Sequence, residues 1–519
     1  MSQSHEIGSV PDVARFWADR GPTNVALISD TRTISYGALN QISSRLANCM
    51  LGRGIKPGSR VGYLAMNSDS FFDAWFSAGK IGCAFAPFNW RLAPPELVEI
   101  IDDAAPAIIF VELGFREKME AIQARTSVPY EVIYFDGREG GLEKWAGGAS
   151  SGDPDLPVGA SDPALLAYTS GTTGRPKGVL LSHEAIRQSF LSAAQEPAMS
   201  WTTEDTVLFS MPNFHLGGSC VALQGLYNGT KVSIIPSFET AAVIGQIARD
   251  RVTILPLVPA ALQMILDSAA IKSIDVSSLR NIMYFGSAIG AETVRRAREV
   301  IGCNLVQHYG TTETWIVTVL RPEDHDVARP ARLASCGVAV PSVQIRIADS
   351  HGEDAEPGRV GQVLVKSPTT FSGYLNQPDA TKAVMQNGWY VTGDLGFLDA
   401  DGFLTLVDRA KDMIVSGGEN VYSVEVERAL LRHSGVAMAA VIGTPDPKWG
   451  EKVTAFVVPA PDANVTAEEL KRHCRELLAG YKIPKEIFLE NALPMTPNGK
   501  VQKGMLRKRF WDEQKRAIG

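Results

Sequence analysis

Apolar and polar positions along this chain repeat with two periods. Between Tyr36 and Leu51 the apolar residues Leu39, Ile42, Leu46 and Met50 recur every three or four positions. That spacing predicts an amphipathic helix, and Gly54 stands where it can end. Short runs rich in branched and aromatic residues, Val25–Ser29, Arg60–Met66 and Ala84–Phe88, read as strands, and Asp69–Gly82 between two of them reads as a helix. Ser9-Val-Pro-Asp12 reads as a helix start with Ser9 as its cap. This alternation continues through roughly the first 330 residues and predicts layered α/β structure with largely parallel sheets.

After about Ala334 the pattern shifts to short strands, Val343–Ala348, Val360–Ser367 and Phe403–Val407, separated by Gly, Pro and Asp turns. This reads as a small β-rich subdomain. Beyond Asp408-Arg-Ala-Lys-Asp412 the order is helix (Ser423–Leu431), strand (Met438–Gly443), strand (Lys452–Val458) and helix (Ala467–Leu478). The expected fold is therefore α/β: a large N-terminal domain of layered α/β subdomains plus a small β-rich subdomain, then a small, mobile α+β C-terminal domain. The boundaries expected are 1–408, a hinge at 409–411, and 412–519. The basic run Leu506-Arg-Lys-Arg-Phe510 reads as a solvated terminal helix.

At 519 residues, the chain is long enough for two to four structural units. A formal net charge of -7 argues against nucleic acid as a partner, since a phosphate backbone attracts basic surfaces. It does not argue against one small nucleotide, which needs only a few local donors. The six cysteines include no CxxC pair, and the eight histidines show no paired metal-ligand spacing. The first residues carry no basic region followed by an apolar run, and no stretch reaches about 18 apolar residues. A cytoplasmic enzyme is expected.

The sharpest local chemistry is Tyr168-Thr-Ser-Gly-Thr-Thr-Gly-Arg-Pro-Lys-Gly178, which follows the apolar strand Ala164–Ala167. Thr169, Ser170, Gly171, Thr172, Thr173 and Gly174 form a loop dense in backbone N–H and hydroxyl donors. Such a loop can wrap phosphate oxygens, with Lys177 adding a cation. It is not a Walker A loop, because no Gly-Lys-[Ser/Thr] follows at the required spacing.

This segment resembles the signature of the acyl-adenylate-forming superfamily, which includes acyl-CoA synthetases, adenylation domains and luciferases. Four further motifs stand in that family's order: Gln307-His-Tyr-Gly-Thr-Thr-Glu313, Tyr390-Val-Thr-Gly-Asp394, Asp408-Arg-Ala-Lys-Asp-Met-Ile-Val-Ser-Gly-Gly-Glu-Asn420 and Pro494-Met-Thr-Pro-Asn-Gly-Lys500. The resemblance covers nearly the whole chain and is closest to fatty-acyl or aryl acid–CoA ligases. It implies that ATP and a carboxylic acid give acyl-AMP and pyrophosphate, and that coenzyme A then takes the acyl group.

The resemblance also assigns roles. Tyr309 would stack adenine, beside His308 and Gly310, and Thr311 and Thr312 would donate to the α-phosphate. Glu313 would bind Mg²⁺, which favours hard oxygens. Asp394 would accept the ribose hydroxyls, and Arg409 would bind ribose or phosphate. Gly286, Ser287 and Ala288 would border the acyl and adenine pockets. The family more often has two glycines before that alanine, and Ser287 departs from this. Lys500 would bring the carboxylate and α-phosphate together, and Lys177 and Mg²⁺ would neutralise the leaving pyrophosphate. His215 would lie near the substrate carboxylate. Lys411 would be the hinge of a domain rotation that replaces Lys500 with the Gly417-Gly418 backbone, against which the pantetheine arm would lie. Trp449, Tyr481 and Lys485 match positions that contact the CoA nucleotide.

Phe214 to Gln224 contains no acidic residue, which favours an acid without an α-amino group. Tyr284, Phe285 and Trp315 are expected to line an apolar acyl pocket, with Trp315 shortening it to suit a medium-chain, aromatic or alicyclic acid. The competing readings are a stand-alone adenylating enzyme that loads a carrier protein, a luciferase-like oxygenase, and a non-catalytic nucleotide-binding relative. The sequence given runs 19 residues past Lys500, so no fused carrier domain is expected. The macromolecular partners considered are a second copy in a homodimer and a lysine acyltransferase acting on Lys500, whose Pro494-x-x-x-x-Gly-Lys setting resembles such a target.

Overall fold

The computed structural model describes residues 7–136, 141–169, 176–286, 289–409, 412–416, 419–446, 449–495 and 500–517. Contacts divide the chain into two compact units. The larger holds Met1–Ile345 and Val365–Tyr390, and the smaller holds Arg346–Leu364 and Val391–Gly519.

The larger unit is built on two sheets. In the nine-stranded sheet, Asn304–Thr311, Asn281–Phe285, Ile254–Leu257, Thr206–Phe209, Lys231–Ile234 and Val25–Ile28 are neighbours in that order and run parallel. The seven-stranded sheet has parallel neighbours Pro163–Thr169, Ala84–Pro87, Arg60–Leu64, Ile108–Glu112 and Glu131–Phe135. Antiparallel strands extend each sheet, Trp315–Leu320 then Val338–Ala339 on the first and Lys177–Ser182 then Gly373–Tyr374 on the second. Parallel strands buried on both faces need continuous apolar sequence, as Ile109, Phe110 and Val111 supply.

Helices follow the predicted stripes. Tyr36–Gly52 buries Leu39, Ile42, Leu46 and Met50, and the Ser35 side chain accepts from the Ala38 N–H at its start. Asp69–Lys80 is buried on every side, so it is a core helix rather than an amphipathic one. Its Phe71, Phe72 and Trp75 pack on Phe85 and Phe209. Its one lysine, Lys80, is fully buried, donates to Asn40 at 2.6 Å and pairs with Asp153. One expectation reverses. The first helix is Asp12–Arg20, and Ser9 does not cap it as an acceptor. Instead the Ser9 N–H and hydroxyl both donate to Asp12, at 2.8 and 2.7 Å.

In the smaller unit, Val436–Asp446 and Gly450–Pro459 form a long antiparallel pair, with Glu486–Leu489 parallel to the latter. Helix Ser423–Leu431 lies on this layer, and Lys503–Ala517 packs against Val436–Asp446. Layered α/β structure followed by a small α+β unit is the architecture the sequence predicts. All six cysteines are free thiols. No helix among the described residues is long and apolar enough to cross a membrane.

Candidate active site

Parallel strands deliver their carboxyl ends to one edge of a sheet, where α/β proteins bind ligands. Asn281–Phe285 and Asn304–Thr311 are paired from Asn281↔Asn304 to Phe285↔His308, so Gly286 and Tyr309–Thr311 emerge at the same edge. The turn from Thr311 into Trp315–Leu320 is tightly specified. A Cβ on Gly310 would lie 1.7 Å from the Trp315 carbonyl oxygen, so only glycine fits. Trp315 takes a left-handed φ of 62°. The Thr314 hydroxyl accepts from the Thr311 N–H at 3.2 Å and pairs with the Thr311 hydroxyl at 3.1 Å. Thr312 is a half-buried turn residue, and Glu313 beside it is buried.

Glu313 is held from the other sheet. The Tyr374 hydroxyl donates to Glu313 Oε1 at 2.8 Å, and the Phe371 N–H donates to its carbonyl at 2.7 Å. Lys177 lies over the same tyrosine ring, 4.6 Å from its centre. Burial and the Glu313 charge push the Tyr374 phenol upward, as they do Tyr390, which also bonds Thr311. Lys177, Glu313 and Thr311 thus meet around two tyrosines. Thr169 and Lys177 face each other at the end of their hairpin. Ser170, Gly171, Thr172, Thr173 and Gly174 lie outside the described residues, as do Ser287 and Ala288.

The expected acyl-pocket residues separate. Phe285 is half-buried at the strand end and touches the start of helix Leu216–Tyr227, where a Cβ on Gly217 would lie 2.2 Å from its ring. His215 precedes that helix, half-buried, with its ring 4.7 Å from Phe214. Tyr284 points the other way, as strand alternation requires. It is fully buried in the core, with its hydroxyl 3.1 Å from Gln307 Oε1 and 2.9 Å from His325 Nε2. Trp315 is also buried, edge-on to Phe190 at 6.4 Å. His308 shares the sheet face of Phe285. Burial lowers it to about 4 against the opposing charge of Glu196, so it is neutral near pH 7. Its Nε2 has no partner among the described residues.

In the smaller unit Asp394 and Arg409 are register partners on adjacent strands. Arg409 Nε lies 2.6 Å from Asp394 Oδ1, and the Asp394 N–H donates to the Thr392 hydroxyl at 3.0 Å. Lys500 is exposed at the surface and lies near enough to this pair to feel both charges. Desolvation pushes its ammonium below the ordinary lysine value, Arg409 adds to that, and Asp394 opposes it. Trp449, Tyr481 and Lys485 are exposed. Lys411, Gly417 and Gly418 lie outside the described residues.

Chain-wide similarity identifies the family. The model of the AMP-binding enzyme family matches residues 14–375, and that of the AMP-binding enzyme C-terminal domain matches residues 425–500.

The chain belongs to the AMP-binding enzymes.

Among relatives, the fatty acid–[acyl-carrier-protein] ligase ScoC of Streptomyces coeruleorubidus is 34% identical, over 99% of this chain and 98% of its own. A feruloyl-CoA synthase of an Amycolatopsis species is 35% identical, over 95% and 97%. The crystal structure of ATP-bound MatB from Rhodopseudomonas palustris matches with a TM-score of 0.86 at 30% identity, over 96% and 98%.

In this AMP-binding enzyme one buried carboxylate, Glu313, offers the hard oxygens that Mg²⁺ takes alongside phosphate. Sequence reasoning missed Tyr374, which touches both Lys177 and Glu313, and gave Tyr390 no role beyond opening its motif, because nothing in their spacing links them to Glu313. It also missed Gln224, whose side-chain amide is fully buried with neither atom partnered among the described residues. The available signal was one amide inside an otherwise apolar helix. A cavity of about 500 Å³ lies at the amino ends of the central strands, lined by Arg280, Asn281, Asn304 and Arg321. Its two arginines are paired, with Asp205 and Glu196, and it lies at the opposite strand ends from Gly286 and Tyr309–Thr311.

Proposed function

We propose that this AMP-binding enzyme is an AMP-forming carboxylic acid–CoA ligase. The observation that carries the reading is that Lys500, far from both in sequence, lies near enough to the paired Asp394 and Arg409 to feel the charge of each. A carboxylate oxygen attacks the α-phosphorus of ATP, and the bond to the pyrophosphate oxygen breaks. Two anions must approach, and a fixed cation lowers that cost most where water is excluded. Lys500 has this role. An ammonium already short of solvent gains most from an incoming anion.

Tyr309 supplies a face for adenine, with His308, Gly310 and Gly286 beside it. Thr311 and Thr312 donate to the α-phosphate, Asp394 takes the ribose hydroxyls, and Arg409 orients it. Thr169, the 170–174 loop and Lys177 hold the outer phosphates. Glu313 would hold Mg²⁺, which when bound neutralises phosphate charge. In the second step the thiol sulfur of CoA attacks the acyl carbon. The carbonyl–phosphate bond breaks, AMP leaves with the bonding electrons, and the thiol proton goes to solvent. Gly417, Gly418, Trp449, Tyr481 and Lys485 serve this step, after rotation about the 409–411 segment with Lys411 as hinge. Trp449 and Tyr481 are exposed aromatic side chains, a residue type on which adenine stacks.

For the acid, His215, Gly217 and Phe285 form the mouth. Gln224 lies two turns further along the same helix stripe, about 10 Å from Gly217. An unpartnered amide at that distance favours an acid with a hydrogen-bonding group at its far end, and a relative named for feruloyl-CoA supports the aryl class. Tyr284, closed in the core, has no part in this pocket. Pyrophosphate release across fatty, benzoate and cinnamate-type acids tests the reading, and a protein that consumes ATP with none of them refutes it.

A carrier-protein loader is the second reading, favoured by the ScoC relative. Product analysis decides between them: thioester with a holo carrier protein but none with CoA establishes the loader. The proposed location is the cytoplasm, where ATP and CoA are drawn. Lys500 acylation by a lysine acyltransferase is a proposed control, because it removes the charge. Mass spectrometry that finds Lys500 unmodified where such an acyltransferase is active counts against it.

A further inference from the structure

Lys503 stands three residues after Lys500, at the first position of the terminal helix, and no role above uses it. Its ammonium is largely buried. It donates to the Ser423 hydroxyl at 2.6 Å and lies 2.7 Å from Glu427 Oε1. Ser423 in turn donates to Asp408, 2.8 Å from Oδ2. The other Asp408 oxygen accepts from the Arg409 N–H at 2.7 Å. Glu427 Oε1 also accepts from the Val441 N–H at 2.7 Å. Every charged member has a partner, which is the condition for a buried polar network to order its surroundings. Removing the cation would leave the largely buried Glu427 carboxylate without its counter-ion, the costly way to break such a group.

The positions matter more than the bonds. Asp408 comes immediately before the 409–411 segment, whereas Ser423, Glu427 and Lys503 come after it. Arg507, one turn beyond Lys503 on the same helix face, donates to Asp412 at 2.6 Å, just past that segment. The terminal helix therefore grips both flanks of 409–411. The start of the same helix is tied to the residues flanking Lys500: the Gln502 N–H donates to the Pro494 carbonyl at 2.8 Å, and Met495 bridges Val501. In this arrangement Lys500 lies within the electrostatic reach of Asp394 and Arg409.

We propose that Lys503 is a positioning residue for adenylation, latching Asp408 through Ser423 so that Lys500 is held at Asp394 and Arg409. The inference rests on the ligase reading and its hinge. Rotation about 409–411 must part Asp408 from Ser423 and Lys503, so the latch favours the first half-reaction and opens for the second.

The test separates the two half-reactions in Lys503→Met, Lys503→Arg and Ser423→Ala enzymes with intact melting curves. Acid-dependent ATP–pyrophosphate exchange should fall by about 10- to 100-fold in Lys503→Met, the scale of a small misplacement at a reacting centre. Thioester formation from preformed acyl-adenylate should hold or rise. Lys503→Arg should recover most of the exchange, and Ser423→Ala should show a smaller loss of the same kind. Unchanged exchange in Lys503→Met, or equal loss of both half-reactions, overturns the latch while leaving the ligase reading standing. A wild-type protein with no acid-dependent exchange overturns both.

Discussion

Lys500, Glu313 and Gly217 each make a separable prediction. Lys500→Ala removes the cation at which acid and nucleotide meet, so acyl-adenylate formation should fall by about 100-fold or more. Conversion of supplied acyl-adenylate to thioester should persist, and rapid-quench assays of each step would show the split. Tyr374→Phe strips one hydrogen bond from Glu313 and leaves the ring under Lys177. The expected loss is about 1 kcal/mol, read as a several-fold rise in KM for Mg-ATP with the acid KM unchanged. Gly217→Ala should do the reverse. Its new methyl would press on the Phe285 ring, raising the acid KM while ATP binding stays the same. Which side chains would meet was only partly readable in advance. Asp394 and Arg409 belonged to separate motifs, and their 2.6 Å pairing depends on strand register. Tyr284 and Phe285 looked alike in sequence, and one step of strand alternation sends the first into the core and the second to the site edge.

At the level of elements, periodicity located strands and helices well wherever one face is buried, as in Tyr36–Gly52. It failed to describe Asp69–Lys80 as a core helix, because burial on every side comes from the layers above and below it. The Ser9–Asp12 start was misread because the serine is the donor there and the aspartate the acceptor. The hairpin through Gly310 carries the most demanding local geometry of the site. A methyl at Gly310 cannot coexist with the Trp315 carbonyl at 1.7 Å. Gly310→Ala should therefore shift Thr311 and Glu313, costing about 1–3 kcal/mol of stability and most of the nucleotide affinity. Calorimetric titration with a non-hydrolysable ATP analogue, alongside a melting curve, would measure both.

Across the molecule, burial makes the fold sensitive to acid. His183, His308 and His325 are each lowered to about 4 by burial, from an ordinary value near 6.5. The folded chain keeps all three neutral while the unfolded chain protonates them. Stability from this source is complete above about pH 6.5 and is lost as pH falls toward 4, at up to roughly 1.4 kcal/mol per pH unit for each histidine. Melting temperatures should decline steadily over that window, and a histidine-to-glutamine change at any one site should flatten the decline.

The phenol of Tyr374 has a practical consequence for anyone recombining this scaffold. It comes from a two-residue edge strand of one sheet, yet it wires the cation of a hairpin on that sheet to a carboxylate on the other. A chimera joined anywhere between 177 and 374 would take parts of that wire from different parents. Crossover points outside that interval should yield active hybrids far more often, whatever acid the donor prefers.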